Sequence, residues 1–284
     1  MPRLAVLGHP VAHSRSPVMQ NAALAALGLG EEWSYEAIDV APEEFEVRVR
    51  AMAAEGFAGV NVTVPHKLLA LALADVASEM AEEIGAANTL IFRANGIEAQ
   101  NTDAGGLIAS LPRPPRGQRA LVLGAGGAAR AAVWGLGAAG ATVEIWNRTV
   151  ARAETVRLEV TQRARELQIE VEVTIVQAEV PGEEADATLD QSAYELIVNT
   201  TAVGLQGEEP FEHLPLRRDG FRPGQVVVDM VYGDRPSTLL EAAAAAGAAT
   251  VDGIEVLVQQ GALSFEIWTG HKPPLDVMRS AARA

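Results

Sequence analysis

The sequence predicts an α/β protein of two domains, and three observations carry that expectation. Its 284 residues suffice for about two domains at roughly 150 residues each. A stretch dense in proline, Leu111-Pro-Arg-Pro-Pro-Arg-Gly117, divides the chain, since prolines there stop helix and sheet alike. Beyond it short apolar runs alternate with helical ones, which implies a mostly parallel, doubly wound sheet.

Taken in order, Arg3 to Gly8 reads as a buried strand. Ser16-Pro17 opens a helix to about Leu27, with serine as N-cap and proline at the first helical position. Trp33 to Val40 is strand-like, and Pro42 to Glu55 is helical with acidic residues in its first turn. Gly59 to Thr63 is a short strand, and the Ala/Leu-rich run after Pro65 a helix. Asn88–Arg93 and Gly96–Gln100 flank Asn95-Gly96, a hairpin pattern, and Asp103 begins another helix. After the linker, strands are expected at Ala120–Leu123, Thr142–Trp146, Glu170–Val176, Tyr194–Asn199 and Val226–Met230. Helices are expected at Ala128–Ala139, Val150–Leu167 and Ser237–Ala246, and the acidic run Glu179–Asp190 as a solvated loop.

Composition narrows the function. Hydrophobic residues at 49% and charged residues at 21% describe a globular chain, not a disordered one. A net charge of −15 opposes nonspecific nucleic-acid binding and gives no support for an anionic membrane surface, while leaving room for a small anion held by a local cluster. The absence of cysteine removes disulfides, thiolate metal sites and a cysteine nucleophile, and suits a cytoplasmic setting. No membrane span or signal peptide is expected, nor a metal, since the five histidines show no helical H-x-x-x-H pair. Of 22 basic residues only Lys67 and Lys272 are lysine. Where a charge alone is needed this chain uses arginine, whose pKa disqualifies it from proton transfer near neutrality.

Gly124-Ala125-Gly126-Gly127-Ala128-Ala129-Arg130 lies where a strand turns into a helix, with Gly124, Gly126 and Ala129 matching G-x-G-x-x-A. The first glycine permits the tight turn, the second lets amides approach a pyrophosphate, and the small third residue lets helix and strand pack closely. At the end of the next strand, where an NAD site has an acidic residue, the chain reads Trp146-Asn147-Arg148-Thr149, with Arg152 one turn later. Two guanidinium groups there suit a 2′-phosphate, so the expectation is NADP over NAD.

Three further segments carry polar chemistry. In His13-Ser14-Arg15-Ser16-Pro17, two hydroxyls at a helix start can receive a carboxylate. Asn61-Val62-Thr63-Val64-Pro65-His66-Lys67 places polar groups at a strand end before a proline-fixed turn, with His66 expected to be structural or solvent-exposed. Asn88-Thr89 and Asn101-Thr102-Asp103-Ala-Gly-Gly supply amides and a carboxylate, Asp103 being as well placed for an N-cap as for catalysis.

Together Ser-x-Ser, NVTVPHK, AANT, NTDAGG, GAGGAAR, NRT and the final Q-x-G-A-x-S-F-E-x-W-T-G resemble shikimate dehydrogenase, in order and over nearly the whole chain. The resemblance implies a cytoplasmic, NADP-dependent oxidoreductase that reversibly reduces 3-dehydroshikimate to shikimate, toward aromatic amino acids, as a monomer or homodimer. It implies a substrate domain from residues 1–103 and 253–284, with a Rossmann-type NADP domain, 104–252, inserted. By this resemblance Lys67 and Asp103 form the catalytic pair, and Ser14 and Ser16 hold the substrate carboxylate. Thr63, Asn88, Tyr232 and Gln260 contact its hydroxyls or carboxylate. NADP is lined by Gly124, Ala125, Gly126, Gly127, Ala128, Asn147, Arg148, Thr149, Arg152 and Met230, with Gly253 near the nicotinamide. The chain departs from the family pattern at Glu255 and Val256, where Gly and Met are common, and at Asn199-Thr200-Thr201, where Asn-Ala-Thr is common. The rival expectations are an NAD-using quinate/shikimate dehydrogenase, against which Arg148 argues, and a noncatalytic NADP-sensing module, which has no use for the Lys67/Asp103 pair.

Overall fold

The computed structural model describes residues 2–180, 189–233 and 235–284. In chain order the first elements are β1 (Arg3–Gly8), α1 (Ser16–Ala26), β2 (Ser34–Asp39), α2 (Phe45–Ala54), β3 (Phe57–Val62), α3 (Lys67–Ala72), β4 (Val76–Ala77), α4 (Glu79–Ile84), β5 (Thr89–Arg93), β6 (Gly96–Gln100) and α5 (Asp103–Ser110). Next come β7 (Arg119–Leu123), α6 (Gly127–Ala138), β8 (Thr142–Trp146), α7 (Val150–Glu166), β9 (Glu172–Ile175), β10 (Leu196–Asn199), α8 (Pro210–His213), β11 (Val226–Asp229), α9 (Thr238–Ala245) and β12 (Ala249–Val251). Two helices, α10 (Gly253–Thr269) and α11 (Leu275–Arg283), close the chain. Contacts divide it into two compact units, Met1–Gly106 with Leu257–Ala284, and Leu107–Val256.

The first unit holds a six-stranded mixed sheet in the order β2-β1-β3-β5-β6-β4. Strand β1 runs parallel to β2 and β3, whereas β5 runs antiparallel to both β3 and β6. The ends of β1, β3 and β6 and the start of β5 therefore share one edge of the sheet. One face packs on Phe45, Val49 and Met52 of α2, all fully buried. On β3, Gly59 is required by close approach. A Cβ there would strike both the Leu90 carbonyl and the indole of Trp268, whose Nε1–H donates to that same carbonyl at 3.1 Å.

The second unit is an all-parallel six-stranded sheet, β12-β11-β10-β7-β8-β9. Numbered within the unit, that is the doubly wound order 3-2-1-4-5-6 read from the other end, with its switch point between β7 and β10. Strands β10 and β11 are buried along their whole length, as central parallel strands must be, which is why they read as apolar runs up to their last residues, Asn199 and Asp229.

Element boundaries fall close to the sequence expectations, with informative differences. Ser16 is not the N-cap of α1. Arg15 occupies that position and Ser16 is already helical, because the turn closes one residue earlier on the Ser14 amide, which donates to the Val11 carbonyl at 2.9 Å. Residues Val76–Ala77 form a bridge to β6, and Ser78 caps α4 through the Ala81 amide, features too short for periodicity to reveal. Most of the acidic run, residues 181–188, lies outside the described residues.

The Gly59 contact yields a stability prediction. Gly59→Ala should lower the unfolding free energy by about 1–3 kcal/mol, the usual cost of overpacking. Urea denaturation checks this, and an unchanged midpoint would contradict the close approach.

Candidate functional site

The cluster at the shared sheet edge of the first unit is built around Asn88. Its Oδ1 accepts the backbone N–H of Thr102 at 2.7 Å. A backbone N–H only donates, so the amide cannot be turned over. Its Nδ2 must then face the other way, where it lies 2.9 Å from Asp103 Oδ1, 2.9 Å from Thr102 Oγ1 and 3.1 Å from Gln260 Oε1. The second Asp103 oxygen accepts from Lys67 Nζ at 2.6 Å, and the two side chains are only 12% and 13% exposed.

Of the two expected uses of Asp103, the structure rules out capping by its side chain. The cap at the start of α5 is supplied by Asn101, whose Oδ1 accepts the amides of Asp103 and Ala104 at 3.0 and 3.4 Å. The Asp103 carboxylate is thereby released from helix capping and turned toward Lys67. Lys67 begins α3, and Ala87 N–H donates to its carbonyl at 2.9 Å, which ties the helix start to the approach of β5.

Behind Asn88 lies a buried hydroxyl–amide network that the motifs contain but to which sequence reasoning assigns no role. Asn61 Nδ2 reaches Thr89 Oγ1 at 3.1 Å and Ser264 Oγ at 2.9 Å, while Tyr35 donates its hydroxyl to Asn61 Oδ1 at 2.7 Å. Ser264 Oγ also meets Thr89 and Thr102 at 2.9 and 3.2 Å. The available signal is polar side chains at the ends of apolar strands, where burial obliges them to pair.

Ser14 lies on the loop leaving β1, and Ser16 is the first residue of α1. The Ser16 amide donates to Ser14 Oγ at 3.3 Å, so the two serines are held together, and Ser16 is buried. Asp39 clips this loop from the end of β2, pairing with His9 at 2.7 Å and accepting the Val11 amide at 3.2 Å. The His9 hydrogen bond holds the Asp39 carboxyl below the usual range. Thr63 donates its amide to the Leu7 carbonyl at 2.8 Å, and its own carbonyl accepts from the His66 amide.

Of the two expectations for His66, the structural one holds: the ring is fully buried. It stacks on Phe45 at 4.4 Å, and its Nε2–H donates to the Val40 carbonyl at 2.7 Å. Burial pushes its pKa below the ordinary 6.5.

The second unit presents the expected cofactor residues at the carboxyl ends of its strands. Gly124 has φ +118°, and a Cβ on it would lie 2.5 Å from Thr200 Oγ1, so the turn after β7 needs glycine twice over. Gly126 caps α6 with no side-chain partner, leaving the first-turn amides of a 12-residue helix to an external acceptor. A Cβ on Gly126 would meet nothing within 4 Å, so the turn is open on the side where a phosphate would approach. After β8, Asn147 Nδ2 donates to the Thr149 carbonyl at 2.9 Å, and Arg148, Thr149 and Arg152 are exposed. Neither arginine joins an ion pair among the described residues, so both guanidinium groups are uncommitted. These groups fit an adenine dinucleotide carrying a 2′-phosphate. Met230 and Tyr232 follow β11, half-buried. Gly253 starts α10 against the Met230 carbonyl, where a Cβ would come to 2.5 Å. Of the two departures beside it, Val256 is buried and Glu255 donates its amide to Asp252, the residue that opens the helix, at 2.9 Å.

A shikimate dehydrogenase substrate-binding domain model matches residues 6–90, and a shikimate 5'-dehydrogenase C-terminal domain model matches residues 253–283. The NADP(+) shikimate dehydrogenase of Anaeromyxobacter sp. (strain K) is 45% identical, over 98% of this chain and 95% of its own. This chain belongs to the shikimate dehydrogenase family. Within the family, a shikimate 5-dehydrogenase of Thermus thermophilus solved with NADP(H) and shikimate shares the fold at TM-score 0.83 and 39% identity, covering 100% of this chain and 99% of that one. A 5-ketofructose reductase of Gluconobacter sp. strain CHM43 matches at TM-score 0.84 and 29% identity, covering 99% and 97%. Family membership thus accounts for the fold, and the substrate must be argued from the side chains.

The buried His66 gives a pH prediction. Its folded pKa is depressed, so the folded state binds fewer protons than the unfolded one below pH 6.5, and stability falls as pH drops through that region. Between about pH 7.5 and 5.5, the urea midpoint should fall more for the native chain than for His66→Gln. Equal falls would show that His66 does not carry the effect.

Proposed function

We propose that this chain is an NADP-dependent shikimate dehydrogenase, reducing 3-dehydroshikimate to shikimate reversibly in the cytoplasm, as a monomer or homodimer. The observation that carries the reading is the Lys67–Asp103 pair, poised beside Asn88 and Gln260. A ketone reduced to an alcohol needs a hydride on carbon and a proton on oxygen. Bound NADPH supplies the hydride. Lys67 gives the proton to the developing alkoxide and takes it back in the reverse direction, while Asp103 orients the ammonium and accepts from the same hydroxyl. Asn88 and Gln260 hold ring hydroxyls, and Ser14 and Ser16 receive the carboxylate, with Thr63 and Tyr232 completing the contacts.

Residues 1–103 with 253–284 serve as the substrate domain and 104–252 as the NADP domain. There the amides of Gly124, Ala125, Gly126, Gly127 and Ala128 cradle the pyrophosphate. Asn147, Arg148, Thr149 and Arg152 take the adenosine end with its 2′-phosphate, and Met230 and Gly253 lie by the nicotinamide. What supports NADP over NAD is the pair of uncommitted guanidinium groups after β8 and the lack of a carboxylate at that place in the sequence.

Absorbance at about 340 nm, where the reduced nicotinamide absorbs, tests the reading with shikimate and NADP. Turnover is expected, with NAD or quinate far poorer. Turnover only with NAD and quinate, or with NADPH and 5-ketofructose but not 3-dehydroshikimate, would replace it. Lys67→Ala should lower kcat by about 10²–10⁴-fold, with the KM for shikimate changed far less, and Lys67→Arg should not restore it. A raised KM at unchanged kcat would make Lys67 a binding residue only. Arg148→Ala should raise the KM for NADP by about tenfold, the worth of one charge-assisted hydrogen bond, and leave the KM for NAD unchanged. Equal effects on both would remove the 2′-phosphate from its role.

A further inference from the structure

Asp229, at the carboxyl end of β11, is fully buried, and among the described residues no basic group pairs with it. A carboxylate out of water is costly unless its lone pairs are filled. Here three donors engage its two oxygens: Asn199 Nδ2 at 2.9 Å, the Val231 amide at 3.1 Å and the Ser237 hydroxyl at 2.5 Å. Each belongs to a different segment. Ser237 caps α9, accepting the Leu240 amide. Val231 lies between Met230 and Tyr232. Asn199 ends β10, and its Oδ1 accepts both the amide and the hydroxyl of Thr201, at 3.1 and 2.7 Å.

The Asn199 contact leads to the glycine turn. Because Oδ1 of Asn199 is taken by the Thr201 amide, a pure donor, its Nδ2 is turned toward Asp229, and the carboxylate accepts it and anchors the side chain there. Thr201 Oγ1 in turn accepts the Val203 amide at 3.2 Å, while the neighbouring Thr200 donates to the Leu123 carbonyl at 2.7 Å. Thr200 and Thr201 are the residues against which Gly124 packs. A continuous chain of contacts therefore runs from Asp229 through Asn199 and the two threonines to the turn at the switch point between β7 and β10. The same carboxylate holds the backbone that presents Met230.

We propose that Asp229 is a positioning residue for the cofactor site. It sets the Asn199–Thr201 loop that supports the glycine turn, and the Met230–Tyr232 segment after β11, so that both are in place before a dinucleotide binds. The inference rests on the NADP reading above. Its effect is on dinucleotide affinity, not on proton transfer at Lys67.

The test compares Asp229→Asn and Asp229→Val by calorimetric titration with NADP, alongside the KM for shikimate and kcat. In Asp229→Asn the side-chain carbonyl still accepts from Asn199 and Val231, and the amide can donate to a rotated Ser237 hydroxyl. That variant should bind NADP within about threefold of the native chain, a loss smaller than one neutral hydrogen bond. Asp229→Val fills the space but leaves buried donors unpaired, each a substantial penalty. It should weaken NADP by about tenfold or more, with a smaller change in the KM for shikimate. Should Asp229→Val fail to fold by circular dichroism, Thr201→Val interrupts the same chain of contacts and should weaken NADP while shikimate binding persists. A folded Asp229→Val that binds NADP within about twofold of the native chain overturns the proposal, as does a loss of shikimate and NADP affinity in equal measure. A native chain that binds no NADP at all would instead overturn the functional reading itself.

Discussion

The bond from the Thr102 amide to Asn88 Oδ1 is the constraint on which the rest of the site depends. A backbone donor cannot reverse its role, so the side-chain amide has one orientation, and its N–H groups face Asp103 and Gln260. Asp103 then receives Asn88 on one oxygen and Lys67 on the other. Each member is placed by a group that has no alternative. Such an arrangement meets the need of acid–base chemistry for fixed geometry without any charged group being buried alone.

The same logic recurs in the parallel sheet of the second unit with different residues. There the Thr201 amide fixes Asn199, and a buried carboxylate, Asp229, takes its N–H. In both units an asparagine at a strand end is locked by a backbone amide further along the chain and then handed to an aspartate. The first aspartate remains at the margin of solvent beside a lysine, where protons can move. The second is sealed off, and burial raises its pKa, which suits it to holding backbone rather than to exchanging charge with substrate.

Much of this is legible in the sequence, for identifiable reasons. The parallel sheet of the second unit reads directly, since buried strands such as β11 carry continuous apolar runs (Val226 to Val228) and α6 and α7 alternate with strands at regular spacing. Lys67 stands out because the chain has only one other lysine. What the sequence does not yield is the partnering of polar groups. Asp103 is as suited to capping as to catalysis, and only the placement of Asn101 shows that the cap is made elsewhere. Ser16 has the pattern of an N-cap, yet the loop closes a residue early. Thr89, Ser264 and Asp229 show in the sequence only as polar residues in or beside apolar runs, and their pairing is set by three-dimensional partners. For Thr89 and Ser264 those partners lie 175 residues apart. The structural placement of His66 likewise follows from Phe45 and Val40, both distant in sequence.

In the proposed mechanism Lys67 and Asn88 act as one unit through Asp103, which both contact. A double-mutant cycle on kcat at saturating shikimate measures that directly, with Asn88→Ala, Lys67→Ala and the pair. If the amide works by placing Asp103 against the lysine, its removal should matter little once the lysine is gone. The coupling energy should then exceed about 1 kcal/mol. Additivity within about 0.5 kcal/mol would contradict the account and leave Asn88 and Lys67 as independent contributors.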